Sequence, residues 1–292
     1  MRIYAGNINR YSVDDLKALV SPNRWEHVKR FAFEADIKRG LLAAALLNYG
    51  LNRDFEFFTL DRNRDRKKAS GDDNDRLTGV KVCKWIKYDE YMYLDDNKKP
   101  HLMIDGKELI FSLSHAGDYA VCAIAGLYEK GHDGIGIDIE VCERGNRKTD
   151  TDSIARHFYS EEEQSFVFAD EDLKTENFYK IWTLKEAYMK ATGLGLKLPT
   201  SDFTVRIKKD GHTAFFERNE RDIESYVNQT SSAGQTDNKE RDPEILTALE
   251  KTRGFRGRLF DDIDGYIISL CIPEIKNTDN DKIKVDIVED LI

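Results

Sequence analysis

The chain has 292 residues, of which 40% are hydrophobic and 34% charged, and it carries a net charge of −9. That length holds one large core or two small ones, while the acidic balance argues against nonspecific nucleic-acid binding, which needs a basic surface to neutralise phosphates. No apolar run approaches membrane-spanning length, and Cys83, Cys122, Cys142 and Cys271 are too scattered to form a zinc site or a disulfide framework, so reduced thiols are expected.

Met1-Arg2-Ile3-Tyr4 leads directly into a strand over Ile3 to Ile8 with no signal-peptide pattern, which sets a cytoplasmic location as the expectation. A short helix is predicted over Val13 to Val20, with Ser12 as its cap and Asp14 and Asp15 in its first turn. Ser21-Pro22 opens a second, longer helical region that carries Arg24, His27, Lys29, Arg30, Lys38 and Arg39 before the apolar run Leu41 to Leu47. By itself such a basic helix reads as a solvated face. Asp61 to Asp75 mixes charges without an apolar face and reads as an exposed loop.

Pro100, Asp105-Gly106 and the run Ile110 to Leu113 mark a turn and a strand. Ser114-His115-Ala116-Gly117 reads as the following turn, and Tyr119 to Ala125 as a buried strand. Beside a serine and a glycine at a strand end, His115 is either structural or a donor to a phosphate oxygen.

In Gly134-Ile135-Gly136-Ile137-Asp138-Ile139-Glu140 the isoleucines alternate with the polar positions, the period of a strand with one apolar and one polar face. Asp138 and Glu140 then share a side, roughly 6.6 Å apart along the backbone. They are either solvated acids at a strand end or a pair that converges on a hard cation such as Mg²⁺, whose oxygen ligands lie at about 2.1 Å. Ser160 with Glu161, Glu162 and Glu163 reads as a capped helix start. Phe178, Ile181, Trp182, Leu184, Tyr188, Met189 and Ala191 fall at helical spacing, and Gly193 and Pro199 supply the stop. Glu186 and Lys190 are i and i+4 on that helix, so a surface ion pair of about 0.2–0.5 kcal/mol is their bland reading; with Lys185 they could instead hold phosphate and metal together.

Past that helix, Phe203 to Ile207 and Thr213 to Phe216 flank Asp210-Gly211 as a hairpin, residues 217–252 read as a flexible insertion with a short helix from Pro243, Tyr266 to Ile272 returns to strand, and Ile283, Val285 and Ile287 alternate in a final edge strand. Leu41 to Leu51 aligns without gaps to Leu184 to Leu194, with Ala43 and Leu47 where the second copy has Glu186 and Lys190. That faint repeat predicts one active site per chain.

Gly136-Ile137-Asp138-Ile139-Glu140 followed about forty residues later by Trp182-x-x-Lys185-Glu186-Ala187-x-x-Lys190 closely resembles the signature of the 4′-phosphopantetheinyl transferase superfamily. Phe111-Ser112-Leu113-Ser114-His115-Ala116-Gly117 is similar to the Ser-His motif of its longer, Sfp-type branch, and Lys99-Pro100 to that branch's Gly-Lys-Pro motif, with Lys98 where glycine is usual. The resemblance runs from about Ser21 to Leu270. It implies an α+β fold: a pseudo-twofold pair of similar halves, 1–128 and 129–292, each a small mainly antiparallel sheet packed with helices, with coenzyme A in the cleft between them.

The resemblance implies a Mg²⁺-dependent transfer of 4′-phosphopantetheine from coenzyme A to a serine of an apo acyl or peptidyl carrier protein, with release of 3′,5′-ADP. It places Asp138, Glu140 and Glu186 at the metal, Glu186, Lys190 and Lys185 in catalysis, and Arg24, His27, Arg39, Lys99, Pro100, Ser114 and His115 at coenzyme A. Glu186 would take the serine proton directly or through a metal-bound water. In the family the segment from about Ser160 to the second motif touches the carrier, which makes Phe166 and Phe168 contact candidates, with core packing as their other reading. The alternatives are a Mg²⁺-dependent pyrophosphohydrolase acting on coenzyme A and a non-catalytic module that binds coenzyme A or a carrier. A monomer without nucleic-acid or membrane partners is expected.

Overall fold

A computed structural model describes residues 1–59, 85–127, 134–142, 150–218, 247, 250, 252–274 and 283–291. The first sheet contains β1 (Arg2–Asn7), β2 (Met92–Leu94), β3 (Pro100–Ile104), β4 (Lys107–Ala116), β5 (Tyr119–Leu127) and the chain's last strand, β11 (Val285–Ile287), in the order β11-β1-β5-β4-β3-β2. The second contains β6 (Gly136–Val141), β7 (Phe203–Ile207), β8 (Thr213–Arg218), β9 (Arg256–Phe260) and β10 (Tyr266–Ile272), in the order β6-β10-β9-β8-β7. Every pairing is antiparallel except that of β11 with β1. The fold is mixed α+β.

Strand alternation sorts the side chains into three cores. Tyr4 of β1 and Cys122 of β5 face the long helix α3 (Glu34–Thr59) with Leu41, Leu42 and Leu46, whereas Ile3, Ala5, Val121 and Ala123 face the other way. There they meet Ile137 and Ile139 of β6 and Ile268 and Leu270 of β10. The opposite face of the second sheet, with Ile267 and Cys271, packs on α6 (Lys174–Thr192) through Leu184, Ala187 and Ala191. The layers therefore run helix, sheet, sheet, helix. Each isoleucine buried between the sheets contributes roughly 1.5–3 kcal/mol, which makes that junction a core rather than a loose domain contact. β4 and β6 meet there.

The polar face of β6 lies under α6, and Gly136 permits the approach. A Cβ on Gly136 would stand 1.8 Å from the Ala187 carbonyl oxygen. Gly193 ends α6 at φ 78°, in the left-handed region that favours glycine. The shorter helices begin where the serines predict: Ser12 and Asp15 form a capping box on α1 (Val13–Leu19), Ser21 caps α2 (Pro22–Val28), and Ser160 and Glu163 form a capping box on α5 (Glu161–Val167).

Four expectations need revision. The region from Ser21 is two helices, because Arg24 donates to the Gly40 carbonyl and Val28 packs on Gly40; one straight helix would hold residues 24 and 40 about 24 Å apart. Ser114, His115 and Ala116 are still strand, paired with Val121, Ala120 and Tyr119, so the turn begins only at Gly117. The insertion starts later than residue 217, since β8 runs to Arg218, and Thr252 at its far end is buried; most of it, like the loop from Asp61 to Asp75, lies outside the described residues. The last strand is an edge strand as expected, but it joins the first sheet, so the half-chain division is not clean. Elements with no clear forerunner in the sequence include β2, β9 and α4 (Thr151–Phe158). Lys98, in the place of the family's glycine, adopts φ 65°.

Gly136→Ala should force β6 and α6 apart. Overpacking typically costs about 1–3 kcal/mol, and a clash with backbone leaves little room to relax. A thermal unfolding midpoint equal to that of the wild type would show that the two elements do not lie this close.

Candidate active site

Asp138 projects from β6 toward α6 and is only 5% exposed. A carboxylate buried to that degree needs a partner, and its partner is Lys190, one turn beyond Glu186 on α6. Lys190 Nζ lies 2.7 Å from Asp138 Oδ1 and donates as well to Ser114 Oγ at 2.8 Å and to the Ile137 carbonyl at 3.1 Å. The i,i+4 pair with Glu186 is thus replaced by a bond across elements. Ser114 Oγ donates to the same Asp138 Oδ1 at 2.8 Å, and two residues earlier Ser112 Oγ accepts the Ile137 amide at 3.0 Å. Residue-by-residue motif reading gave Ser112 no role. Its signal is the period of two along β4, which puts both hydroxyls on one face.

Glu186 faces this pair. Burial first, then the negative charge of Asp138, raise its pKa above the ordinary glutamate value; Lys190 opposes the shift and Glu140 adds to it. Glu186 therefore feels both of the other acids. Among the described residues, however, no three Asp, Glu, His or Cys side chains are gathered closely as metal ligands. What fits a hard divalent cation is the chemistry of the donors. Asp138 Oδ2 is buried with no hydrogen-bond partner, and the mutual repulsion at Glu186 is what a bound dication would relieve.

A basic group adjoins the acids. The His115 imidazole is held below its ordinary pKa by crowding from the surrounding chain and then by the positive charges of Arg39, Lys190 and Arg24. The residue as a whole is exposed, which screens these charges in part, but their presence around one imidazole places four expected residues together. Arg39 also donates to the Gly117 carbonyl at 2.6 Å and pairs with Asp36. Arg24 is set by its bonds to Gly40 and by α2, whose first turn is anchored on buried Asp89: that carboxylate accepts from the Ser21 amide and hydroxyl and from Asn48. His27 is exposed, with its ring edge-on to Phe31.

Lys99 reaches across from the first sheet. Its Nζ lies 3.5 Å from where a Cβ on Gly134 would stand and 3.6 Å from the same point on Gly193. Burial lowers its pKa, and Glu108 and Asp95 partly offset the shift. Both of those carboxylates are engaged by His101, at 2.5 Å and 3.1 Å. Pro100 opens β3 opposite Leu94, so its contribution is to hold the backbone beside Lys99.

Lys185 does not belong to the site. Its side chain is 1% exposed on the far side of α6, with Nζ 2.8 Å from Glu163 Oε1 and 2.9 Å from the carbonyls of Thr200 and Phe203. Glu163 in turn accepts the Val205 amide. The pair ties α5, α6 and β7 together, and the adjacency of Lys185 to Glu186 in sequence misled because neighbours on a helix point about 100° apart. Phe166 and Phe168 pack partly on the second core, as the bland reading has it.

Comparison with known proteins follows the same residues. The model of the 4′-phosphopantetheinyl transferase superfamily matches residues 134–242, a range that contains both the acidic strand and α6. That stretch of the chain is similar to the superfamily. It is similar to a 4′-phosphopantetheinyl transferase of Bacillus subtilis, 39% identical over 37% of this chain and 43% of the relative. It is also similar to 4′-phosphopantetheinyl transferase Sfp of Bacillus subtilis (strain 168), 29% identical over 68% of this chain and 70% of the relative. A human L-aminoadipate-semialdehyde dehydrogenase-phosphopantetheinyl transferase is 36% identical over 30% of this chain and 28% of the relative. The chain thus spans less than half the length of the first of these and 70% of the second.

Lys185→Ala should lower stability by about 3–5 kcal/mol, the usual result of leaving a buried partner charge unpaired, as read by denaturant unfolding. A near-neutral result would return the residue to the surface. For His115 the sign follows from its depressed pKa. The folded state disfavours the proton, so stability is intact above the unfolded value of 6.5 and is lost as pH falls below it. His115→Asn should therefore flatten the acid limb of a stability profile taken below that value, and an unchanged limb would contradict the cationic surroundings described above.

Proposed function

We propose that the chain transfers 4′-phosphopantetheine from coenzyme A to a serine hydroxyl of an apo carrier protein and releases 3′,5′-ADP. The observation that carries this reading is the abutment of two unlike groups: an acidic set, Asp138, Glu140 and Glu186, joined through Lys190 to a basic set, Arg24, Arg39 and His115. A diphosphate with a third phosphate at the far end of its nucleotide asks for both. The N-terminal half, 1–128, would supply the phosphate contacts and the C-terminal half, 129–292, the acids and Lys190.

In the transfer the serine oxygen attacks the phosphorus that carries pantetheine, the bond to the bridging oxygen breaks, and 3′,5′-ADP leaves with the electron pair. On this reading Arg39, Arg24, His115 and His27 would provide donors for the 3′-phosphate, and Lys99 would serve a second phosphate. Glu186, with its raised pKa, suits acceptance of the serine proton near neutral pH, directly or through a water. Lys190 balances charge that grows on the leaving group. Mg²⁺ held by Asp138, Glu140 and Glu186 would neutralise the diphosphate as a Lewis acid. The same reading takes the protein as a monomer that acts in the cytoplasm.

Intact mass of an apo carrier protein, after incubation with this protein, coenzyme A and Mg²⁺, should increase by one phosphopantetheine, and chelator should abolish the gain. Glu186→Gln should reduce the rate by about 10²–10⁴, the usual contribution of a general base, while the unfolding transition persists. Metal-dependent cleavage of coenzyme A without a gain on the carrier would replace the transferase by a pyrophosphohydrolase, and binding without either reaction would leave only a binding module.

A further inference from the structure

Ser114 lies in the motif whose family resemblance points to coenzyme phosphate, yet its hydroxyl is engaged by Asp138 and Lys190. It is 9% exposed, donates to Asp138 Oδ1 and accepts from Lys190 Nζ, both at 2.8 Å. Lys190 takes the same Oδ1 at 2.7 Å. Both protein partners thus converge on one oxygen of Asp138, and the other, Oδ2, is buried with none. β4 belongs to the first sheet and β6 to the second, with no ladder between them. Ser112, through the Ile137 amide, and Ser114, through the Asp138 side chain, bridge the two at consecutive residues of β6.

The geometry points to Ser114 as a positioning residue for the cation site: from the opposite sheet it fixes the rotation of the Asp138 carboxylate, so that Oδ1 is spent on protein donors and Oδ2 is presented to the metal. The inference rests on the metal reading given above. A carboxylate bonded through one oxygen to two donors from different elements cannot swing about its last torsion without breaking both. Removal of Ser114 leaves Lys190 alone, a flexible side chain 30% exposed, and the carboxylate becomes free to turn and to share Lys190 between its oxygens. Ser114 would act through Asp138 on metal affinity and not through a contact to the coenzyme.

The test uses the full-length chain and Mn²⁺ as the probe, with free Mn²⁺ followed by electron paramagnetic resonance, and coenzyme A binding measured separately in EDTA by calorimetry. Loss of a group that orients a metal ligand weakens metal binding by about 10–100-fold, and Ser114→Ala is expected in that range. Its affinity for coenzyme A in EDTA should match the wild type, and Ser114→Thr, which keeps the hydroxyl, should restore Mn²⁺ binding. Unchanged Mn²⁺ affinity in Ser114→Ala would overturn the inference, as would a fall in coenzyme A affinity in EDTA, which would assign the hydroxyl to a phosphate. Failure of threonine to restore binding would assign the loss to packing and overturn it too. Absence of Mn²⁺ binding by the wild type would instead remove the metal reading itself.

Discussion

The ion pair between Asp138 and Lys190 is the constraint on which the site depends. A buried carboxylate stranded without its cation is destabilising by about 3–5 kcal/mol, so whatever brings Lys190 within reach is under strong physical demand. Three features meet that demand. Gly136 lets α6 rest on β6 with no side chain between them. The shared isoleucine core fixes β6 against the first sheet, so that β4 stands beside it. Ser114 then completes the coordination of the charge from that sheet. Glu186, one turn before Lys190 on the same helix, is carried into the pair's field by the same packing, and its raised pKa is a consequence of that placement.

The basic side of the site is assembled by a different kind of force. At a net charge of −9 the molecule as a whole repels anions, and only local structure can reverse the sign. Arg39 is held by the Gly117 carbonyl and Arg24 by that of Gly40, so each guanidinium spends part of its donor set on backbone. Rigid presentation of the charge is what those bonds provide. The buried cluster of Ser21, Asn48 and Asp89 steadies the start of α2 in turn, and residues with no chemistry of their own thereby set the position of one that has.

Much of this was legible in the residues. Alternation at Ile135 to Glu140, serine caps at Ser12, Ser21 and Ser160, and Gly193 as a stop are local signals, and local geometry honours them. What depends on a distant partner was not legible. Lys185 and Lys190 are the same residue type on one helix, yet one meets Glu163 at 2.8 Å and the other Asp138 at 2.7 Å; only the docking of α5 and β7 on one flank and β6 on the other separates them. The break after Val28 was hidden for a similar reason. Nothing in the composition of residues 29 to 33 forbids a helix as proline would, and the turn is imposed by the contact of Val28 and Arg24 with Gly40. Arg256 to Phe260 became strand because β8 and β10 needed a partner between them.

The two long helices show how one packing solution serves two ends. α3 and α6 each cover the outer face of a sheet, and their sequences align from Leu41 and Leu184 onward. In α3 the positions aligned with Glu186 and Lys190 are Ala43 and Leu47, 1% and 0% exposed; they lie in a dry core with β1 and β5. In α6 the same positions carry charge and remain half-buried beside the acids of β6. The difference is not in the helix but in the strand beneath it. Tyr4 and Cys122 offer α3 an apolar surface, whereas Asp138 offers α6 a buried negative charge. A lysine in place of Leu47 would put its charge among the apolar side chains of the first core, which cannot solvate it. Among the described residues the charged version of the arrangement stands on β6, where Asp138 meets Lys190.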